Sequence, residues 1–139
     1  MRIYFGTYTR TTPGGPHRPQ AIYAFEMDVN TGRLEAQGFA GGVRNPSYLA
    51  LNPAKTHLYA VSETGDTPQE RSGGAAAFKI EPDGALTLLN QQVTLGAAPC
   101  YVSADRSGRW LFAANYHSGT LPVFPILPGG ELAPASQVI

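Results

Sequence analysis

Six residues pair reactive or hydrogen-bonding side chains with places at the ends of apolar runs: Arg44, Asn45, Glu63, Asn115, Tyr116 and His117. Glu63 ends the run Leu58-Tyr59-Ala60-Val61-Ser62. A partly desolvated carboxylate there can act as a base on water or accept a hydroxyl, or it can simply bond to neighbouring backbone. Asn115 and Tyr116 suit the binding of substrate hydroxyls; an Asn at a strand end also commonly satisfies a loop. His117 can serve as acid, base or phosphate ligand, or as a solvated residue beside the Ser118-Gly119 turn. Arg44, placed before Asn45-Pro46, can pair a phosphate or a surface carboxylate.

These residues need elements to hold them, and the stretch 111–124 shows which. Two apolar runs flank Ser118-Gly119, the pattern of antiparallel strands joined by a tight turn. The hairpin recurs. Tyr59-Ala60-Val61-Ser62-Glu63 matches Phe112-Ala113-Ala114-Asn115-Tyr116 at a spacing of 53, and Tyr4-Phe5-Gly6-Thr7-Tyr8 matches Tyr59 onward at a spacing of 55. Ala98-Pro99-Cys100-Tyr101 aligns likewise with Asn45-Pro46-Ser47-Tyr48. Such periods belong to repeat architectures, whose units bury their apolar faces only against neighbours.

Sixteen Gly and twelve Pro in 139 residues mark many turns between short elements, and no segment reads at the helical period, so the chain is all-β. Strands are expected over 2–8, 21–28 and 34–37, then 47–51, 57–63, 75–80 and 86–93, then 98–105, 109–116, 120–126 and 132–138. Four short strands per repeat, lettered A to D with A opening at the Pro, are the signature of a β-propeller. The blades divide at about 1–44 (strands B to D alone), 45–97 and 98–139. A propeller closes with roughly four to eight blades, so fewer than three full ones make this an incomplete propeller, expected to be the N-terminal part of a longer protein.

The period is uneven in an informative way. Phe25 and Phe78 are 53 residues apart, Phe78 and Phe124 only 46, and the whole difference of 7 lies in the B-to-C step. Length variation confined to one loop type marks one edge of the stack as a binding face. The ends of B, the B-to-C loops and the D-to-A loops share that edge. It should therefore gather Thr7, Tyr8, Arg44, Asn45, Glu63, Cys100, Asn115, Tyr116 and His117 around one mouth.

Ten Lys and Arg balance ten Asp and Glu without a run of either sign, which points to no nucleic-acid partner and no anionic membrane surface. No apolar run approaches the ~18 residues of a membrane helix, and no signal-peptide pattern follows Met1. A single cysteine, Cys100, fits a reducing compartment, so the cytoplasm is expected. Cys100 and its counterpart Ser47 read as small packing residues of an inner strand, Tyr48 and Tyr101 as a shared packing pair between blades, and Phe25, Phe78 and Phe124 as core. His17, Arg18 and Arg71 read as solvated loop residues.

Taken together, Gly6-Thr7-Tyr8-Thr9, Asn45-Pro46-Ser47-Tyr48-Leu49, Leu58-Tyr59-Ala60-Val61-Ser62-Glu63, Pro99-Cys100-Tyr101-Val102-Ser103 and Phe112-Ala113-Ala114-Asn115-Tyr116-His117-Ser118-Gly119-Thr120 resemble the lactonase family of seven-bladed propellers. That family includes propeller-type 6-phosphogluconolactonases and carboxymuconate cyclases. The resemblance implies a cofactor-independent enzyme opening a lactone, in the sugar-acid case 6-phosphogluconolactone of the pentose phosphate pathway. It also implies a Pro-His-x-His stretch in the next strand A, which no position here matches, so the principal His is expected beyond Ile139 and this chain alone is expected to be inactive.

Lactone opening needs a base for water, donors or a cation for the developing oxyanion and, for a phosphorylated substrate, Arg, Lys or backbone amides. Glu63 and His117 are the candidate catalytic residues; Arg44, Asn45, Asn115 and Tyr116 are the candidate substrate-binding residues. No metal and no cofactor is assigned, although Glu63, Asn45 and Asn115 are of the kinds that calcium-dependent propellers collect. Two alternatives stay open: a muconate-type lactone-forming cycloisomerase, and a non-catalytic propeller binding a ligand or protein through the same loops.

Overall fold

The computed structural model describes residues 1–10 and 18–139, and all its regular elements are strands. β1 (Arg2–Gly6), β2 (Ile22–Met27) and β3 (Leu34–Ala40) form a three-stranded sheet in that order. The second sheet runs β4 (Leu49–Leu51), β5 (His57–Ser62), β6 (Gly74–Ile80) and β7 (Leu86–Val93). The third runs β8 (Pro99–Ala104), β9 (Trp110–Asn115), β10 (Pro122–Pro125) and β11 (Gln137–Val138). Every neighbouring pair is antiparallel. These are propeller blades, each strand hydrogen-bonded to the next in sequence.

The turns repeat at the level of single bonds. Asn52 Oδ1 accepts from the amides of Thr56 (2.9 Å) and His57 (3.0 Å), and Asp105 Oδ1 accepts from those of Arg109 (2.8 Å) and Trp110 (3.0 Å). Each short acceptor thus ends one strand and starts the next. The Ser107 hydroxyl, with those amides, holds the Asp105 carboxyl down to about 2.

The middle sheet is apolar on both faces, and its strand alternation sends successive residues to different cores. Leu58, Ala60, Ala76 and Phe78 pack with Ala21, Ile22 and Val43 of the first blade. Tyr59, Val61, Ala75 and Ala77 pack with Val102, Leu111, Ala113, Phe124 and Leu132 of the third. The run Ala75-Ala76-Ala77 is small because sheets meet it on both sides. Phe78 and Phe124 are fully buried as expected. Phe25, at the matching register, is half-buried on the face of the first sheet turned away from the second, its ring edge-on to Phe5 at 5.5 Å.

One polar contact is made twice across the blade boundaries. The Tyr4 hydroxyl donates to the Gly84 carbonyl (2.9 Å) and the Tyr59 hydroxyl to the Gly130 carbonyl (3.1 Å), in each case at the C-to-D turn of the next blade. Both glycines have positive φ, +87° and +94°, and a Cβ on either would overlap the Arg2 guanidinium or the His57 ring, at 2.0 and 2.2 Å. At Gly130 the His57 ring leaves no room for a side chain, and at both turns the positive φ favours glycine.

Only the 86–93 strand keeps its expected bounds; most others shift by one or two residues at an end, and three departures have a visible cause. The inner strand of the second blade begins at Leu49, not 47, because an extra residue interrupts its pairing. The third strand of the first blade runs on to Ala40. The last strand is reduced to Gln137–Val138 plus an isolated Ile126–Leu132 pair, since Pro134 lacks the amide a ladder needs. Contacts from Ala133 to Pro125 (2.9 Å) and Ser136 to Val123 (2.8 Å) keep the segment in place around that proline.

Tyr59 is wholly buried, and burial pushes its phenol up to about 12 from 10.0. Its raised value adds stability that is fully present below pH 10 and lost as pH rises through about 12. Tyr59→Phe should flatten that alkaline decline and, by orphaning the Gly130 carbonyl, cost about 1–2 kcal/mol at neutral pH, read by urea unfolding of the full-length protein across pH.

Candidate active site

A residue in the left-handed conformation, just before a proline, leads into each inner strand: Asn45 (φ +46°) before Pro46 and Ala98 (φ +52°) before Pro99. An L-residue with a Cβ pays roughly 1 kcal/mol for this, less for Asn. The conformation turns the carbonyl toward strand B, where Asn45 O accepts the Glu63 amide (3.1 Å) and Ala98 O the Tyr116 amide (2.9 Å). The acceptors Asn45 and Tyr48 are three residues apart, while their donors Glu63 and Val61 are two apart, so strand A carries one extra residue. The same bulge falls at Cys100, between the pairs Pro99–Asn115 and Tyr101–Ala114. Bulges re-aim side chains. Here they aim Ser47 and Cys100 at the mouth.

The Asn45 side chain secures the corner. Its Oδ1 accepts from the Thr9 amide and hydroxyl, both at 3.1 Å, its Nδ2 donates to the Glu63 carbonyl (3.1 Å), and its amide donates to Thr9 Oγ1 (3.3 Å). At the next boundary the Ala98 amide donates to the Thr64 carbonyl (2.8 Å). Thr9 and Thr64 are repeat counterparts, and both are buried.

Glu63 therefore emerges from a fixed backbone. The Tyr8 hydroxyl, from the first blade, donates to both carboxylate oxygens at 3.0 Å, and the Ser47 hydroxyl donates to Oε2. Burial, then the Glu63 carboxylate, raises the Tyr8 phenol above its ordinary 10.0, which keeps it a donor. Tyr8, Asn45 and Glu63 line a cleft of about 610 Å³ together with Arg44, Tyr116 and His117. Cys100 lines it as well, exposed and not packed as its sequence context suggested.

The Asn115-to-Thr120 turn carries Tyr116 and His117 to this wall. Their amides donate to the Ala98 (2.9 Å) and Ala97 (3.3 Å) carbonyls, and the Ser118 hydroxyl accepts from the Ala97 amide (2.8 Å). Both side chains are exposed, their rings 5.5 Å apart. Asn115 differs: only 2% exposed, it does not line the cleft, and its Nδ2 donates to the Thr94 carbonyl and Thr120 Oγ1, both at 3.0 Å. It pins the turn that presents its two successors.

Arg44 reaches the cleft paired with the Glu70 carboxylate. Glu70, Asp66 and Thr67 come from the longer B-to-C loop, and Arg10 from the first blade also lines the wall. None of these four was singled out from sequence, although the loop's seven extra residues were the signal. Tyr48 and Tyr101 do pair between blades, ring centroids 4.7 Å apart. Arg18 and Arg71 are exposed; His17 lies outside the described residues.

A propeller sector with a polar cleft where its blades meet, lined by a doubly donated carboxylate, an imidazole and guanidinium groups, is the class of structure seen here. The family model for the lactonase, seven-bladed β-propeller, matches residues 2–139, and the chain belongs to that family. It is 38% identical over 136 residues to a 6-phosphogluconolactonase of Bacillus subtilis strain 168, covering 96% of this chain and 36% of that protein. A crystal structure from Bacteroides fragilis NCTC 9343 superposes at a TM-score of 0.85 with 36% identity, over 99% of this chain and 35% of that one. The periplasmic gluconolactonase of Pseudomonas aeruginosa superposes at 0.84 with 31% identity, over 99% of this chain and 38% of that one. The chain thus spans little more than a third of the length of these relatives.

Asn45→Ala should destabilise the full-length protein by about 2–3 kcal/mol, through the lost amide bonds and the left-handed backbone together. Asn45→Gly keeps the first loss and relieves the second, so it should be about 1 kcal/mol milder. Urea unfolding of the two variants checks the order.

Proposed function

We propose that this chain supplies one sector of the active site of a lactonase that hydrolyses 6-phosphogluconolactone to 6-phosphogluconate, a step of the pentose phosphate pathway. The observation that carries the reading is the Glu63 carboxylate, held by hydroxyls from two blades on the wall of the cleft. The relatives named for this activity support it.

The chemistry follows from the residues. Glu63 takes a proton from water as the water oxygen bonds to the lactone carbonyl carbon. The carbonyl oxygen becomes an oxyanion, then re-forms its double bond as the ring C–O bond breaks. The departing ring oxygen takes a proton from His117. Tyr116 offers its hydroxyl to those of the sugar, and Arg44 offers its guanidinium to the phosphate. Asn45 and Asn115 act through the backbone, holding Glu63 and the Tyr116-His117 turn in place. A cytoplasmic setting goes with this reading, supported by a lone free cysteine.

The test is hydrolysis by the full-length protein. Wild type should open 6-phosphogluconolactone, Glu63→Gln should lower kcat/KM by about 10²- to 10³-fold, and His117→Ala by about tenfold. Unchanged rates in both variants would remove these residues from the chemistry. Turnover of a muconate with none of the phosphorylated lactone would replace the reaction itself.

A further inference from the structure

We infer that Glu70 is a built-in competitor at the phosphate subsite of the cleft: its carboxylate occupies the Arg44 guanidinium until a substrate phosphate displaces it, so it weakens the binding of phosphorylated sugar acids and leaves that of unphosphorylated ones unchanged. This rests on the lactonase reading and names the feature of the substrate that the cleft recognises.

Glu70 is built into position. The loop that carries it exceeds its third-blade counterpart by seven residues and folds back on itself, with Thr67 and Glu70 exchanging backbone bonds at 3.3 and 3.1 Å. The Thr67 hydroxyl also accepts from the Glu70 amide at 3.2 Å. On the other side, Arg44 directly precedes Asn45, which Thr9 and Glu63 hold at every polar atom of its side chain. Two fixed pieces of backbone therefore bring the carboxylate and guanidinium together.

The pair is made to be exchanged. Its side chains are 45% and 34% exposed, and both line the cleft, so solvent screens their attraction and a ligand can reach them. A phosphate dianion brings more charge than a carboxylate and the same bidentate geometry for a guanidinium. It can displace Glu70, where a hydroxyl cannot. Glu63 and Asp66 add negative charge to the same wall. A ligand unable to exchange with Glu70 gains nothing from Arg44.

The experiment is calorimetric binding to the native full-length protein, with 6-phosphogluconate and gluconate as probes, beside hydrolysis of the phosphorylated lactone. Removing the competitor in Glu70→Gln should tighten 6-phosphogluconate about five- to tenfold and leave gluconate within about twofold. Arg44→Gln should weaken 6-phosphogluconate at least about tenfold, and adding Glu70→Gln to it should then change nothing more. Equal tightening of both probes, or no tightening of 6-phosphogluconate, overturns the inference even if wild type hydrolyses the lactone. The expected binding pattern without hydrolysis would uphold the competition at Arg44 and overturn the proposed reaction instead.

Discussion

Two left-handed residues before prolines, Asn45 and Ala98, are the constraint on which the rest of the mouth depends. Each turns a carbonyl into the path of the neighbouring strand and captures the amide of a residue that lines the cleft, Glu63 in one blade and Tyr116 in the next. The extra residue this forces into strand A is Ser47 or Cys100. Without the bulge, alternation would direct these side chains away from the cleft. Ser47 would then be unable to donate to Glu63.

The two boundaries solve the same problem with different materials. Asn tolerates the left-handed conformation, and its amide collects Thr9 and Glu63. Ala98 has no such side chain, and its amide instead meets the Thr64 carbonyl. Farther out, Tyr4 and Tyr59 reach glycine carbonyls in the next blade, at turns whose positive φ favours glycine. Between these polar ties lie two apolar cores sharing the middle sheet. Rigid blades thus meet at fixed distances, and a carboxylate from one can be held by a phenol from another.

The site consequently divides into two parts with different physics. Glu63, Tyr8 and Ser47 form a hydroxyl–carboxylate cluster on strand ends, with a backbone that packing and hydrogen bonds hold firmly. Arg44 and Glu70 form an exposed ion pair between a strand lead-in and an inserted loop. The first arrangement suits a group that must keep its geometry through a reaction. The second suits recognition, where one partner has to give way.

Much of this was readable in the order of residues, because the relevant signals are local. Turn residues such as Asn52 and Asp105, the two-residue alternation and the recurrence near 53 residues define the strands, their sheets and the propeller class. They also place Glu63, Tyr116, His117 and Arg44 at one mouth, since successive strand ends must alternate between edges. What stayed hidden was orientation and partnership. Asn115 and Tyr116 are adjacent in sequence, yet one is buried and holds a turn while the other faces the cleft. Asn115 continues the alternation of Leu111 and Ala113, whereas the bulge that turns Cys100 to the cleft comes from a backbone state at Ala98 that an alanine does not announce. The Tyr8–Glu63 bond spans 55 residues and the Arg44–Glu70 pair 26, so each exists only because packed sheets bring separate loops together. Local chemistry determined which residues reach the rim, and the tertiary contacts decided which of them meet.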